Sequence, residues 1–506
     1  MALLGIDLGT IGCKALLFDN KGNQLAKAYR EYAMITGHGG LAELDSAGVM
    51  EDVKAVIREA AAEAGSDGIE ALSVSSMGEA FVPVTRNREI LGNSILGFDS
   101  RGNEYLEEVR SFISDEKLYE VNGNPIGANY GLTKFLWIAR EDSEVYDKTD
   151  YFLMWSSFVL FMLGGRPVCD YSLANRSLLF NVESCSWNVD LAGKLDFDAA
   201  KLPELVPTGT VVGKLDTLIS EDLGIQGQPL LVAGSHDQCA NALGCGVLDE
   251  GTAMYGMGTF HCIVIPFEKR PGAELMLPRG LNTEHHAVPG RYVTFVYNQG
   301  GILLKWFRDT FMMEKHELGI VKGEINIYED LMDEMPAGPS PVLVYPNFSV
   351  TGPPEFLEKT TGMISGLTLA TTRGDIAKGV LEGVAYYLKE NVENLPEELS
   401  VDGFRVVGGG SRSEAWVKLL ADVFNRPFTR TEENEAGALG AAIIAGVGSG
   451  RFKDFREGAA SMVRLADTVE PDAVNAAALE NNYRRYKTIQ PQFGDFLAEH
   501  LDSQEK

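Results

Sequence analysis

Positions 230–246, LLVAGSHDQCANALGCG, restrict the fold of this chain more than any other stretch. Four apolar residues (230–233) end in Gly234-Ser235, Asp237 follows at once, and small residues stand at Ala240, Ala242, Gly244 and Gly246. The apolar run reads as a buried strand and the Gly-Ser pair as a tight turn. The residues behind it read as a helix whose Gly/Ala face lets another backbone come close. Asp237 is thereby carried to the end of a strand and held from both sides. A carboxylate in that place can accept a proton from a substrate hydroxyl, or it can cap the helix that follows. The stretch by itself leaves both readings open.

A chain of 506 residues exceeds one ordinary core and points to two or three domains. Its 45% hydrophobic and 23% charged residues are those of a soluble globular protein. With 44 Lys and Arg against 72 Asp and Glu the net charge is −28, which argues against nucleic acid or an anionic membrane as partner. A polyanionic nucleotide would need backbone N–H groups and Mg²⁺ to hold it. The six cysteines form neither a CxxC pair nor a disulfide framework. His236, Cys239 and Cys245 are near one another in sequence, but no second ligand pair follows, so no metal site is expected there. The first residues, MALLGIDLGT, lack a basic n-region, and the apolar residues 151–165 are too short to span a bilayer. Neither signal peptide nor membrane anchor is expected, and the cytoplasm is the expected compartment.

Along the chain, residues 3–6 and 15–18 read as strands flanking Asp7-Leu8-Gly9-Thr10-Ile11-Gly12-Cys13-Lys14, a hairpin whose glycines let a phosphate approach the backbone. Residues 49–64 read as an amphipathic helix and 71–75 as a buried strand ending near Glu79. A short apolar run leads to Asp99 and Arg101, and a polar cluster spans Asp170 to Ser177. Convergent carboxylate, amide and hydroxyl groups of this kind suit a polyhydroxylated ligand, although each alone also fits a surface turn or a cap. At Gly251 the chain starts again: strand, then Gly258-Thr259, on the plan of the first hairpin. Asn298-Gln299-Gly300-Gly301 opens a helix over 302–309, a long helix covers 374–390, and a strand over 404–407 runs into Gly408-Gly409-Gly410-Ser411. Residues 414–424 and the Gly/Ala-rich 437–446 read as helices, and the tail from 451 as helical.

These residues, taken in order as GIDLGTIGCK, ILGFDSRG, DYSLANRSLLFNV, GSHDQCANALGCG, YGMGT, NQGGILLKWFRD, LEGVAYYL and VVGGGSRSEAW, resemble the FGGY family of carbohydrate kinases, within the sugar kinase, actin and Hsp70 superfamily. The resemblance implies an α/β fold of two ribonuclease H-like (actin-like ATPase) domains with a deep cleft between them. The expected division is 1–247 for sugar and base, 248–450 for ATP, and 451–506 as a helical extension packed on the second domain. It implies Asp237 as general base and Asp7 as the holder of Mg²⁺, through water. Gly9, Thr10 and Lys14 match the first phosphate turn, Gly258 and Thr259 the second. Gly301 matches a glycine of the nucleotide cleft, Gly409, Gly410 and Ser411 the adenosine motif, and Asn434 the closing side of the adenine pocket. Glu79, Asp99, Asp170 and Gln238 fall where the family binds substrate hydroxyls.

The resemblance thus implies transfer of phosphate from ATP, with Mg²⁺, to a hydroxyl of a small sugar or polyol, and allows a homodimer. Xylulokinases carry Gln-Met-His-Gly where this chain has Ser76-Met77-Gly78-Glu79, and glycerol kinases carry Arg-Glu there and a Trp at the place of Gly97. Loss of these large groups is expected to open the pocket beyond a three-carbon polyol, favouring a ketose such as xylulose over glycerol or erythritol. Two readings of other classes stand beside this one. A nicotinamide-dependent oxidoreductase would need Gly where Ser413 stands in the 408–413 loop. A non-catalytic actin-like nucleotide switch would leave Asp237 and Glu79 without a task.

Overall fold

The computed structural model describes residues 1–64, 68–312, 327–349, 354–355 and 360–501. Strand β1 (Ala2–Leu8) pairs antiparallel with β2 (Gly12–Phe18), which pairs antiparallel with β3 (Gln24–Glu31). Helix α1 (Ser46–Ala61), capped by the Asp45 carboxylate, packs on β2 and β3 and leads to β4 (Ile69–Ser76), parallel to β1. An edge strand β5 (Val211–Lys214) and the parallel β6 (Leu230–His236) complete a sheet of order β5-β6-β4-β1-β2-β3. Strands β1, β2, β4 and β6 are almost wholly buried, which is why they read as continuous apolar runs rather than alternating ones.

The second half repeats the arrangement. Strands β7 (Gly251–Met257), β8 (Phe260–Phe267), β9 (Glu284–His285), β10 (Tyr292–Gln299), β11 (Val401–Val407), β12 (Phe428–Thr431) and β13 (Leu465–Val469) form a sheet of order β9-β10-β8-β7-β11-β12-β13. The five strands β10-β8-β7-β11-β12 repeat β3-β2-β1-β4-β6 in order and in direction. The restart read at Gly251 is therefore a structural duplication.

Four more helices matter for the site: α2 (Tyr171–Asn175), α3 (Asp237–Gly244), α4 (Gly301–Phe311) and α5 (Arg373–Glu393), the last closed by a Thr372–Asp375 capping box. Of the two Gly/Ala helices, α3 and α6 (Ala436–Gly448), the second is exchanged onto the other half's sheet. Helix α6 comes from the second half but lies on β1, β4 and β6 of the first sheet, while α3 leads out of the first sheet and touches both, β4 and β6 on one side and β7 and β8 on the other. A division at 247/248 thus separates the strands, not the packing. One apolar cluster between the sheets mixes Leu3, Phe18 and Leu243 with Met254, Val264 and Ile443.

Glycine is what allows the exchange. A Cβ at Gly244 would collide with the Ala436 carbonyl, and one at Gly440 with the Ala240 carbonyl. Each helix places its glycine on the carbonyl four residues upstream of the other's glycine, a reciprocal contact expected of a duplicated fold. Gly5 of β1 likewise admits the Ala438 carbonyl.

The tail differs from the all-helical expectation. Residues Phe455–Met462 form a helix against α6, Leu465–Val469 add an antiparallel strand to β12, and only then does α7 (Ala473–Leu501) run across α5 and the helix Glu414–Phe424. The strand was hidden because Leu465–Val469, half polar and largely exposed, sits at a sheet edge where alternation is weak. Residues 502–506 of the expected extension lie outside the described residues. Among the described residues no helix is long and apolar enough to cross a membrane.

Gly440→Val should force the α3–α6 backbones apart, costing about 1–3 kcal/mol or more, with activity lost alongside stability because α3 carries Asp237. Gly193→Ala, where a Cβ meets nothing within 4 Å, should be neutral or slightly stabilising. Thermal melts of the two variants check this; an equally small effect at both positions would contradict the close crossing.

Candidate active site

Strand β6 ends at His236 and α3 begins with Asp237. The His236 backbone N–H donates to Ser172 Oγ at 2.9 Å, and that hydroxyl donates to Asp170 Oδ2 at 2.7 Å, so the strand end is pinned from α2. Burial and the Arg176 charge hold the His236 imidazole neutral, well below its usual pKa. Its Nδ1 has no partner among the described residues and its Nε2 lies 3.2 Å from Asp237 Oδ1, so the tautomer that fits donates from Nε2 to the carboxylate. The Asp237 side chain is 24% exposed. Burial, and next the charge of Asp7, push its pKa up to about 7, against hydrogen bonds from Gln238. A carboxylate so tuned is a competent proton acceptor near neutral pH.

Asp7 stands at the end of β1. Its Oδ1 accepts from Ser75 Oγ at 2.9 Å, its Oδ2 lies 3.8 Å from Lys14 Nζ, and a Cβ on Gly437 of α6 would come within 2.8 Å of it. Burial raises its pKa, and Lys14 and Ser75 offset that only in part. Lys14 and Lys27 both pair with Glu435, the residue preceding α6, so the second half of the chain closes over the first hairpin. Gly9 N–H bonds the Gly12 carbonyl at 2.9 Å, which fixes the turn and leaves Thr10 partly exposed at its tip.

The second turn is built differently behind the same surface. Gly301 N–H donates to the Gly258 carbonyl at 3.0 Å, and Gly300 and Ile302 N–H donate to the Thr259 carbonyl at 3.1 and 3.0 Å. A Cβ at Gly301 would sit 2.7 Å from that Gly258 oxygen, so Gly301 lets α4 seat directly on the phosphate turn. Beyond it, Gly408 takes φ 91° and turns β11 into the Gly409-Gly410-Ser411 loop, with Gly410 against Met257 at the end of β7. Ser411 Oγ bonds the Gly408 carbonyl at 2.7 Å and lies 3.1 Å from Asn434 Oδ1. Residues far apart in sequence thus meet in one place at the ends of β7 and β11.

Two carboxylates each raised by burial, with the Asp7 charge raising Asp237 further, are a donor set that fits a divalent cation. Among the described residues no group of three or more His, Cys, Asp or Glu forms a complete cage.

The four substrate positions fare unevenly. Glu79 is 22% exposed and is held by Arg176 Nη2, and Gln238 sits beside the base in the first turn of α3. Asp99 and Asp170 are taken up by local partners. Both Asp99 oxygens are used by the Arg101 fork, at 2.9 and 2.7 Å, and by the Arg101 and Ala42 N–H groups, with nothing left for a sugar. Asp170, 2% exposed, caps α2 and accepts from Ser172 N and Oγ, Leu173 N and Thr208 Oγ1. The open pocket expected from Gly78 and Gly97 is also corrected. A Cβ at Gly78 would lie 3.0 Å from Arg176 Cγ and from His236, and one at Gly97 would lie 2.8 Å from the Asn129 carbonyl and 3.1 Å from Glu79 Cβ. The space is filled from other elements. Three groups were missed: Arg176, His236 and Glu284, the last 0% exposed and 2.6 Å from Arg176 Nη1. Only the polar run around Arg176 could have signalled any of them.

Models of known families match this chain along most of its length. "FGGY family of carbohydrate kinases, N-terminal domain" covers residues 2–244 and "FGGY family of carbohydrate kinases, C-terminal domain" residues 253–449. The chain is 25% identical to the xylulose kinase of Staphylococcus epidermidis, over 99% of this chain and 98% of that protein. It is 29% identical to glycerol kinase 2 of Thermotoga maritima, over 96% and 97%. The crystal structure of ligand-bound xylulose kinase from Lactobacillus acidophilus superposes with a TM-score of 0.88 at 22% identity, over 98% of this chain and 99% of that one.

A carboxylate whose pKa burial lifts to about 7, above the ordinary aspartate range, binds its proton more tightly folded than unfolded. It therefore costs stability progressively as pH rises from about 4 to about 7, and the cost is constant above that. Ligand-free Asp237→Asn should be more stable than wild type at pH 8, and the advantage should vanish at pH 4. A melting difference independent of pH would contradict the raised pKa.

Proposed function

The chain belongs to the FGGY family of carbohydrate kinases, and from that membership we propose that it transfers the terminal phosphate of ATP to a hydroxyl of a neutral ketose, a pentulose such as xylulose, with Asp237 as the base. The observation that carries this reading is Asp237 itself: a part-exposed carboxylate at a strand end, tuned to about 7 and beside a second carboxylate. The attacking hydroxyl donates to Asp237, which takes the proton as the oxygen–phosphorus bond forms and the bond to ADP breaks. The family uses ATP, and bound Mg²⁺ would supply charge neutralisation at the phosphates from beside Asp7. The Thr10 and Thr259 turns face the transferring phosphate with backbone N–H groups and hydroxyls, acting where charge is greatest. Gly409, Gly410, Ser411 and Asn434 take the nucleoside end. Lys14 stays tied to Asp7 and Glu435 until the phosphates arrive. Supply of ATP and Mg²⁺ makes the cytoplasm the compartment for this reaction.

Neutrality of the substrate follows from charge. On the sugar side Arg176 is shared between Glu79 and Glu284, and His236 is uncharged. Among the described residues no unpaired cation there meets a sugar acid, and an anionic substrate would face Glu79 and Asp237. The relatives named xylulose kinase and the fold match support a ketose; the Thermotoga maritima glycerol kinase 2 favours a polyol as the second reading.

The test is sugar-dependent ADP release from a panel of xylulose, ribulose, erythritol, glycerol and gluconate. A neutral pentulose should give the highest kcat/KM and gluconate at least about tenfold less. Asp237→Asn should lose about 10²–10⁴-fold in kcat with the best sugar. Gluconate as the best substrate would overturn the charge argument. ADP release indifferent to every sugar would favour a nucleotide switch.

A further inference from the structure

The most unusual group outside the base is a buried charge triad that joins the two halves of the chain. Arg176, 4% exposed, sends Nη1 to Glu284 Oε1 at 2.6 Å and Nη2 to Glu79, and its guanidinium lies 5.0 Å from the centre of the Tyr130 ring. Glu79 belongs to the turn after β4 and Arg176 follows α2, whereas Glu284 belongs to β9, the edge of the second sheet. Its neighbours dock the same way: Thr283 N–H reaches the Gly123 carbonyl at 2.6 Å and His285 N–H reaches Asn175 Oδ1 at 3.0 Å.

As a stabilising device this triad is poor. Taking Arg176 and Glu284 out of water costs more than the attraction returns unless every valence is used. Here Arg176 Nε and Glu284 Oε2 have no partner among the described residues. Backbone strain sits next to it, since Leu178, 1% exposed, is held at φ 62°, and such strain collects where positioning matters. Gly78 also lacks the Cβ that would displace the Arg176 stem.

We propose that Arg176 is the positioning residue of the sugar pocket, aiming Glu79 at the sugar with one arm while Glu284 of the second half fixes the other. This rests on the carbohydrate kinase reading with Glu79 as a sugar ligand. Glu284, fully buried, never meets the sugar. It acts only through Arg176, and so ties sugar affinity to the docking of β9 on the first half. Without Glu284 the guanidinium swings toward Glu79 alone, and the Glu79 oxygen that would accept from a sugar hydroxyl turns away.

The decisive experiment is a double-mutant cycle on the whole enzyme with the best sugar of the panel. Glu284→Gln keeps the shape and removes the charge. It should raise the sugar KM about tenfold, the worth of one charge-assisted hydrogen bond, with the ATP KM within about twofold of wild type. Arg176→Lys, which cannot span two carboxylates, should show the same split. If Arg176→Lys fails to fold, the isosteric Glu284→Gln carries the test. The double variant Glu79→Gln with Glu284→Gln should bind sugar no more weakly than Glu79→Gln alone, because Glu284 acts through Glu79. Additive losses would overturn the proposal, as would a Glu284→Gln enzyme that melts lower with its sugar KM unchanged. A wild type that phosphorylates no sugar would instead fail the functional reading beneath it, an outcome visible before any variant is made.

Discussion

The crossing of α3 and α6 is the constraint on which everything else depends. Two helices meet with glycine against carbonyl in both directions, Gly244 on Ala436 and Gly440 on Ala240. Helix α6 lies on the first half's sheet and α3 touches both sheets, so the apolar cluster between them draws on both halves. The same contact places chemistry. Asp237 opens α3, Gly437 in the first turn of α6 touches Asp7, and Glu435 just before it reaches Lys14. A larger side chain at the crossing would move both carboxylates at once.

What the crossing gathers is negative charge in a place poor in water, within a chain that is already strongly acidic. Asp7 and Asp237 are each raised by burial, and the Asp7 charge raises Asp237 further. The ligand-free protein stores that cost, and in the proposed reaction cations arriving with a nucleotide would relieve it. Elsewhere in the cleft charge is balanced locally: Lys14 and Lys27 on Glu435, Arg101 on Asp99, Arg176 between two glutamates. This division leaves Asp237 and Asp7 as the groups with unmet electrostatic demand.

Much of the architecture was legible because it is written in local, strongly biased stretches. The apolar runs became buried strands, the restart at Gly251 became a second copy of the five-strand core, and the two Gly/Ala runs became closely approached helices. What was not legible is which helix packs on which sheet, because a small-residue face states that something comes near and not what. The sugar side was read least well. Asp99 and Asp170 look like ligands in sequence, but a carboxylate two residues from a donor-rich turn is easily consumed by it, and both are. Gly78 and Gly97 looked like space, yet Arg176, His236 and the Asn129 carbonyl fill it from segments that sequence spacing cannot bring together. Glu284, in Asn282-Thr283-Glu284-His285, has the composition of an ordinary surface turn and proves to be among the most buried charges in the chain.

The burial of Asp237 within reach of the Asp7 charge is measured most directly by titrating the Asp237 carboxyl carbon by NMR in ligand-free protein, in wild type and in Asp7→Asn. A midpoint near the value of about 7 is expected in wild type, with a clear fall once the Asp7 charge is gone. A midpoint near the ordinary aspartate value in both proteins would contradict the arrangement. It would mean that the two groups neither share a buried site nor feel one another.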